Sequence, residues 1–167
     1  MSIHQLLLVA SLVATGLMAG LFYGWVVSVI PGTSRLDDLE YVTIMQHINR
    51  EILTPRFLVP FVGIPILLVI AAGAQFRAGD QRRGILVAIA AGTYIVGVFG
   101  ATAVGNVPLN NALETFDVER ASNAEIAERR TTYESPWNRW NGVRTSANAA
   151  AFALLSIAAV ITEEVDA

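Results

Sequence analysis

Residues 6–30 read LLLVASLVATGLMAGLFYGWVVSVI and carry no charge, within a longer uncharged stretch from Ser2 to Ser34. A helix of this length crosses a hydrocarbon core of roughly 30 Å at about 1.5 Å per residue. A secretory signal peptide would have a basic N-terminal region, a shorter apolar run and a small-residue cleavage site before a soluble domain, and the segment fits that pattern poorly. We therefore expect a retained transmembrane helix.

Three further apolar stretches are long enough to span, at residues 57–76, 85–104 and 145–161, the last of them near the lower length limit and rich in alanine. Pro60 and Pro65 lie within the second, where membrane helices tolerate proline because neighbouring groups satisfy the freed carbonyls. Glycines are interspersed in the third and allow close packing of helices in lipid. The four spans predict an all-α, four-helix transmembrane bundle in which residues 1–167 form a single domain.

The composition of the 167-residue chain agrees with a membrane protein. It is 54% hydrophobic and 15% charged, with a mean hydropathy of +0.53, whereas soluble domains carry about a quarter charged residues. Cysteine is absent and there are only two histidines, so a haem or zinc site would be hard to assemble and we predict no metal site. The formal charge of −3 gives no indication of nucleic-acid binding. We expect a multi-pass protein of the cell membrane, and the sequence is compatible with a homo-oligomer.

The links between the spans carry two further helix signals. Residues 41–53, YVTIMQHINREIL, have apolar residues near helical spacing, which predicts an amphipathic helix that runs into span two across Pro55. In the third link, after a polar turn, Ser122-Asn-Ala-Glu125 is typical of a capping box and predicts a short charged helix through about Thr132. Arginine counts in the links favour cytoplasmic long links, but several of those arginines belong to polar motifs, so the orientation stays open.

Three polar clusters are predicted on one face of the membrane, because alternation of the spans brings the start of span two, the end of span three and the start of span four together. Their members are Gln46, Asn49 and Arg50 at i, i+3 and i+4; Asn106-Val-Pro-Leu-Asn110-Asn111; and Trp137-Asn-Arg-Trp140-Asn141-Gly-Val-Arg144, continuing to Asn148. Amide and charged groups at membrane depth usually face a partner or a cavity. We therefore predict a pocket between the helices.

Each piece also has a purely structural interpretation. Trp137 could anchor the helix at the interface, Arg144 could extend to the headgroups, and Asn110 with Asn111 could cap a helix end. His47 points away from the Gln46 and Arg50 side, which favours an exposed or structural role. The coincidence of three clusters on one face is what favours a functional pocket.

The motifs resemble those of the anthrone oxygenase-like family, small four-helix membrane proteins mostly classed as a domain of unknown function. The resemblance covers nearly the whole chain and rests on Met45-Gln-His-Ile-Asn-Arg50, Pro55-x-Phe57, Asn106-Val-Pro-Leu-Asn110 and Trp137-x-x-Trp-Asn-x-x-Arg144-Thr. Members with an assigned role oxidise an anthrone to an anthraquinone with molecular oxygen and no evident cofactor. The resemblance implies a cofactor-independent oxidation of a hydrophobic phenolic or anthrone-like molecule.

On this interpretation every polar cluster has a role. We predict that Arg50 and Arg144 are catalytic and stabilise an anion, while the substrate-binding set consists of Gln46, Asn49, Asn106, Asn110, Trp137, Trp140 and Asn141, with the two indoles stacking on a planar ring. No base belongs to the motifs, since Glu51 and His47 are only neighbours of them. Whether the chain is an enzyme stays open, because the same residues suit a non-catalytic binder of a lipid or quinone headgroup, or an accessory subunit of a membrane complex.

Overall fold

The computed structural model describes residues 1–161, and within them the chain forms five helices. These are α1 Ile3–Thr33, α2 Asp38–Glu51, α3 Pro55–Arg77, α4 Gln81–Glu114 and α5 Asn123–Val160. All but α2 are long and apolar enough to cross a membrane. The predicted all-α bundle of four spans, with an amphipathic helix before span two, is confirmed, and the chain has the architecture of a multi-pass membrane protein.

The four long helices pack in a ring, with α3 against α4, α4 against α5, α5 against α1, and α1 against α3. Leu68, Val87 and Leu155 are fully buried at its centre, whereas large apolar side chains such as Leu17 and Val96 face outward. An apolar outer surface is the arrangement that a hydrocarbon solvent favours. The helices approach closely at small residues, since a Cβ on Gly97 of α4 would lie 2.5 Å from Ala147 Cβ of α5.

The amphipathic helix α2 lies across one end of the bundle. Its N-terminus is a capping box, in which the Glu40 amide donates to Asp37 Oδ1 at 2.8 Å. Tyr41, Val42 and Met45 of α2 pack with Leu113, Ile126, Tyr133 and Trp137 in a second apolar core, separate from the one in the spans. This second core holds together the ends of α2, α4 and α5, which carry the predicted polar clusters.

Arg130 of α5 ties the link after α1 to this end. Its Nη1 donates to the Leu36 carbonyl at 2.7 Å, its Nε donates to Glu134 Oε2 at 2.7 Å, and its guanidinium carbon lies 4.6 Å from the ring centre of Tyr41. Burial raises the pKa of the Tyr41 phenol above its ordinary value, so the ring is neutral and the contact is a cation–π interaction.

The helix boundaries differ from the predicted ones in two places. The amphipathic helix ends at Glu51 and does not run on across Pro55, because the residue before a proline is driven from helical geometry and Thr54 is extended with φ −98° and ψ 156°. The capping box at Ser122 starts a helix as predicted, but that helix continues without a break through Pro136 into span four. Likewise α4 continues past the predicted turn at Asn106 to Glu114.

Wide π-helical turns lie near the polar end, at Trp25–Val29, Ile95–Gly100 and Thr102–Asn106. The first and the last stand just before Pro31 and Pro108. A proline removes one amide hydrogen bond and its ring crowds the carbonyl four residues earlier, and widening the preceding turn relieves that conflict. Both prolines therefore stay inside continuous helices.

The opposite end of the bundle is closed by Arg83. Its guanidinium donates to Asp80 Oδ2 at 2.8 Å and to two carbonyls at the end of α5, Ala158 at 3.1 Å and Ile161 at 2.6 Å. The carbonyls at a helix C-terminus lack intrahelical donors, so Arg83 satisfies groups of α5 that would otherwise be unpaired. Nearby, Gln75 Nε2 donates to the carbonyl of His4, in the first turn of α1, at 3.0 Å and links α3 to α1.

Candidate functional site

A cavity of about 130 Å³ lies between the helices at the end covered by α2. All five helices line it, with Phe22 and Trp25 from α1, Asn49 from α2, Phe57 and Phe61 from α3, Asn110 from α4, and Trp137 and Arg144 from α5. The predicted convergence of three polar clusters is present in the structure. Most of the wall is apolar, with a few polar groups at defined positions, as is usual for small-molecule sites.

Arg144 is the charged group of this cavity. Only 8% of the residue is exposed, and its guanidinium carbon lies 4.6 Å from the ring centre of Phe22 and 5.2 Å from that of Trp137. Its Nε donates to Asn141 Oδ1 at 3.0 Å, and no carboxylate within residues 1–161 pairs with it. An always-charged guanidinium buried without a counter-ion is costly, so its Nη groups are suited to an anionic ligand.

A chain of hydrogen bonds orients the amides of the cavity. Trp137 Nε1 donates to Asn110 Oδ1 at 2.8 Å, and the Tyr133 hydroxyl donates to the same oxygen at 3.0 Å. Asn49 Nδ2 in turn donates to the Tyr133 hydroxyl at 3.1 Å. Because an indole can only donate, the Asn110 atom it meets must be the oxygen, and the direction of the remaining bonds follows.

The same chain fixes what the cavity offers to a ligand. Asn110 presents its Nδ2 as a donor, Asn49 presents its Oδ1 as an acceptor, and Arg144 presents its Nη groups as charged donors. The site can therefore bind two oxygen atoms of one molecule, one anionic and one neutral, and can accept a hydrogen bond from a hydroxyl. This combination matches a planar phenolic or enolic compound.

Aromatic rings form the rest of the wall. Trp25 and Trp137 meet with ring centres 5.6 Å apart and planes tilted by 44°, and Phe57 and Phe61 stack at 5.2 Å with planes 17° apart. Such rings bury much apolar area and hold a flat ligand by offset stacking or edge contacts.

Several predicted site residues lie elsewhere. Gln46 Nε2 donates to the carbonyls of Leu113 and Phe116 at 2.8 and 2.9 Å, so it caps the end of α4. Arg50 is half-exposed and its Nε donates to Glu114 Oε1 at 2.7 Å, on the outer side of α2. In a helix, Asn49 and Arg50 differ by about 100° of rotation, so only one of them can face the cavity.

Trp140 also lies outside the cavity. It packs closely over Gly105 of α4, where a Cβ would collide with the indole, and over a third of the residue is exposed. Trp140 follows Trp137 by three residues, which turns it by roughly 60° from the stripe of Trp137, Asn141 and Arg144. Of the two indoles on α5 that were predicted to stack on a ligand, Trp137 lines the cavity and Trp140 does not. The second indole in the lining is Trp25 of α1.

Asn106 and Asn141 support the site from behind. Asn106 Nδ2 donates to the Trp137 carbonyl at 3.2 Å, and Asn141 Oδ1 accepts the bond from Arg144. Asn106 Oδ1, Asn141 Nδ2 and both amide atoms of Asn148 are buried with no partner among the described residues. Asn106 and Asn141 therefore position Trp137 and Arg144, respectively, and do not line the cavity.

Among residues 1–161, no carboxylate and no imidazole lines this cavity. His47 and Glu51 are exposed on the outer side of α2, in agreement with the interpretation of His47 as an exposed residue. An acidic group, Glu114, lies in an adjoining outer vestibule of about 330 Å³, which also contains Arg50 and Asn111 and shares Asn49 and Asn110 with the cavity.

Sequence reasoning assigned no site role to five lining or supporting aromatics. Phe22 and Trp25 lie at the end of a span, where aromatic residues are usually interfacial anchors. Phe57 belongs to the motif Pro55-x-Phe57 without a predicted role, and Phe61 has no distinctive motif. Tyr133 could have been found, because it precedes Trp137 by four residues and extends the polar stripe of α5 by one turn.

A protein-family model described as anthrone oxygenase matches residues 54–154, which is more than half of the chain. The matched segment contains α3, α4 and most of α5, and with them Asn110, Trp137 and Arg144, whereas α2 with Asn49 and Arg50 precedes it. Neither a curated protein nor a solved structure matches the chain.

Proposed function

The chain belongs to the anthrone oxygenase family, and from this premise we propose that it oxidises a planar, hydrophobic, anthrone-like phenol with molecular oxygen in the cavity beside Arg144. The observation that carries the proposal is the buried guanidinium between two aromatic rings, with no carboxylate partner within residues 1–161. Keeping such a charge in a membrane protein is unfavourable unless a ligand uses it.

We assign a role to each polar group of the cavity. Arg144 Nη groups bind the ligand oxygen that becomes an enolate or phenolate, Asn110 Nδ2 donates a hydrogen bond to a second oxygen, and Asn49 Oδ1 accepts a hydrogen bond from a hydroxyl. Trp25 and Trp137 contact the ring. Donors fixed in advance, in a site of low dielectric constant, stabilise a developing anion strongly, and removal of one such donor typically lowers turnover by about 100-fold or more.

The proposed reaction converts a ring methylene to a carbonyl. Loss of one proton from the methylene carbon gives an enolate, which transfers an electron to oxygen; the resulting radical and superoxide combine to form a carbon–oxygen bond and a hydroperoxide. Cleavage of the oxygen–oxygen bond with loss of the second carbon-bound proton gives the carbonyl and water. The methylene carbon loses four electrons, and one oxygen molecule accepts them.

The protein contributes to the first step by lowering the pKa of the substrate. Each pKa unit corresponds to about 1.36 kcal/mol of preference for the anion over the neutral form, and a buried guanidinium supplies such a preference. The substrate's proton passes to water in the vestibule of Glu114, and Asn49 Oδ1 can only accept a hydrogen bond along that path. No strong base is then required in the cavity.

Oxygen uptake by the purified protein tests this proposal. The panel contains anthrones, naphthols and hydroquinones, and we expect uptake above autoxidation that falls about 100-fold in Arg144→Ala and stays unchanged in Arg139→Ala, an exposed arginine on the same helix. Uptake that stays at the autoxidation rate with every compound would refute the enzymatic proposal.

A second pair of variants tests the hydrogen-bond chain. Trp137→Phe keeps a ring but removes the Nε1 donor to Asn110, so we expect kcat/KM to fall about tenfold because a neutral hydrogen bond contributes roughly 0.5–1.5 kcal/mol. Trp140→Phe is the matched control outside the cavity and should retain full activity. Equal losses in both variants, measured by oxygen uptake, would contradict the assigned orientation of Asn110.

The absence of a lining base within residues 1–161 favours one alternative, a binder that holds the headgroup of a quinone or lipid without chemistry. Such a protein would co-purify with its ligand, lose it in Arg144→Ala, and consume no oxygen. We further propose that the membrane is the cell membrane, which fractionation of cells that express the tagged protein would test.

A further inference from the structure

An apolar groove of about 800 Å³ runs along α1 toward the start of α3 on the outer surface of the bundle. Its walls include Ala14, Leu17, Met18 and Pro60, and Thr54 and Arg56 at one end are its polar residues. Exposed apolar side chains are ordinary on a membrane protein, so exposure alone identifies no ligand.

The groove differs from most of the outer surface because it borders the cavity. Leu21, Ile52 and Phe57 line both the groove and the cavity, one from α1, one from the link after α2 and one from α3. These three apolar side chains form the boundary that a molecule held by Arg144 would have to pass to reach the groove. On another side the cavity adjoins the vestibule of Arg50 and Glu114, which is polar.

The volume of the cavity sets how much of a ligand it can hold. A closed cavity on the order of 150 Å³ accommodates a benzene-sized molecule, so 130 Å³ holds about one ring. A molecule of three fused rings must place its other rings outside the cavity. Apolar rings favour the groove, because burying their surface against apolar side chains is favourable. In the vestibule the same rings would cover charged groups and remove them from water, which is unfavourable.

We propose that the groove beside Leu21, Ile52 and Phe57 is a subsite for the distal rings of a polycyclic aromatic substrate, which reaches Arg144 from the lipid. This inference rests on the proposed function. The oxygenated ring lies in the cavity against Trp137, and the distal rings lie between α1 and α3. The subsite makes ring number a determinant of specificity, since a single-ring phenol fills the cavity and gains nothing from the groove.

Binding of two probes tests the subsite. They are 1,8-dihydroxyanthraquinone, with three rings, and 2′-hydroxyacetophenone, which keeps a neighbouring hydroxyl and carbonyl on a single ring, and quenching of tryptophan fluorescence in detergent reports binding. Thr54→Phe and Ala14→Phe narrow the groove at residues that do not line the cavity, and the Thr54 side chain makes no helix-capping hydrogen bond that the change would remove. Ala88→Phe, on the exposed side of α4, is the matched control.

We expect the groove variants to raise Kd for the three-ring probe about tenfold while Kd for the single-ring probe changes less than twofold, and the control to change neither. Equal Kd ratios in wild type and groove variants would overturn the subsite, as expected if an acyl chain occupies the groove permanently. Equal weakening of both probes would overturn it as well, since the change would then act on the cavity. If neither probe binds the wild-type protein, the proposed function itself fails.

Discussion

Two buried arginines lie near opposite ends of the bundle and are treated differently by their surroundings. Arg83 donates to Asp80 and to the last carbonyls of α5, all of which need a donor. Arg144 has one amide oxygen from its own helix and two aromatic faces, with no carboxylate partner among the described residues. Arg83 thus bonds to groups of the fold itself, whereas the Arg144 Nη groups have no hydrogen-bond acceptor among the described residues, which is the basis of the proposed ligand site.

The difference teaches how a structural charge is distinguished from a functional one inside a membrane protein. Both arginines are largely withdrawn from solvent, with 16% of the Arg83 side chain and 8% of the whole Arg144 residue exposed, so burial by itself does not assign their roles. The partners decide, because removal of a paired group leaves others unsatisfied, whereas removal of an unpaired charge relieves a cost. The two arginines should therefore respond to mutation with opposite effects on stability and on function.

Arg144→Met is expected to have the largest effect. Binding of an anionic or phenolic ligand and oxygen uptake should fall at least about 100-fold, while Tm in detergent rises, because methionine fills a similar volume without an unpaired charge. Thermal unfolding and oxygen uptake on one preparation measure both. A lowered Tm together with retained uptake would break the comparison, since Arg144 would then be structural.

Arg83→Met should show the reverse. Asp80 and two carbonyls lose their donor, and breaking a buried pair of this kind costs about 3–5 kcal/mol of unfolding free energy. Uptake per folded molecule should stay within about twofold, because the substitution lies at the other end of α5. Arg77→Met, an exposed position at the same end, is the control. Loss of specific activity with unchanged Tm would show that the two ends are coupled.

The smallest effect is expected at Arg50. Its pair with Glu114 is half-exposed, and exposed pairs contribute between about 0 and 1 kcal/mol. Arg50→Gln and Glu114→Gln should each change kcat by less than about threefold and leave Tm nearly unchanged. A loss in Arg50→Gln that approaches the loss in Arg144→Met would instead support the sequence-based assignment of Arg50 as catalytic.

The sequence predicted the candidate site in outline. Alternation of four apolar spans was enough to bring the ends of α2, α4 and α5 together, and Asn49, Asn110, Trp137 and Arg144 do line one cavity. Asn49 and Arg50 were both predicted to face the site. Neighbouring residues of a helix differ by about 100° in direction, and the sequence pattern does not resolve a difference of that size. Which of the two faces inward depends on how α2 rolls on Leu113 and Tyr133, and a local pattern does not contain that angle.

The membrane class and the four spans were determined by the sequence alone, because hydrocarbon leaves an uncharged segment of this length few alternatives to a helix. Helix ends were less well determined, since the extension of α5 back to Asn123 depends on packing of Ile126 and Tyr133 against α2. Tertiary structure alone decided which arginine is paired. The carbonyls of Ala158 and Ile161 reach Arg83, and Phe22 of α1 reaches Arg144, from residues far apart in the chain. Pairing of a charge is a property of neighbours in space, and only the packed bundle supplies them.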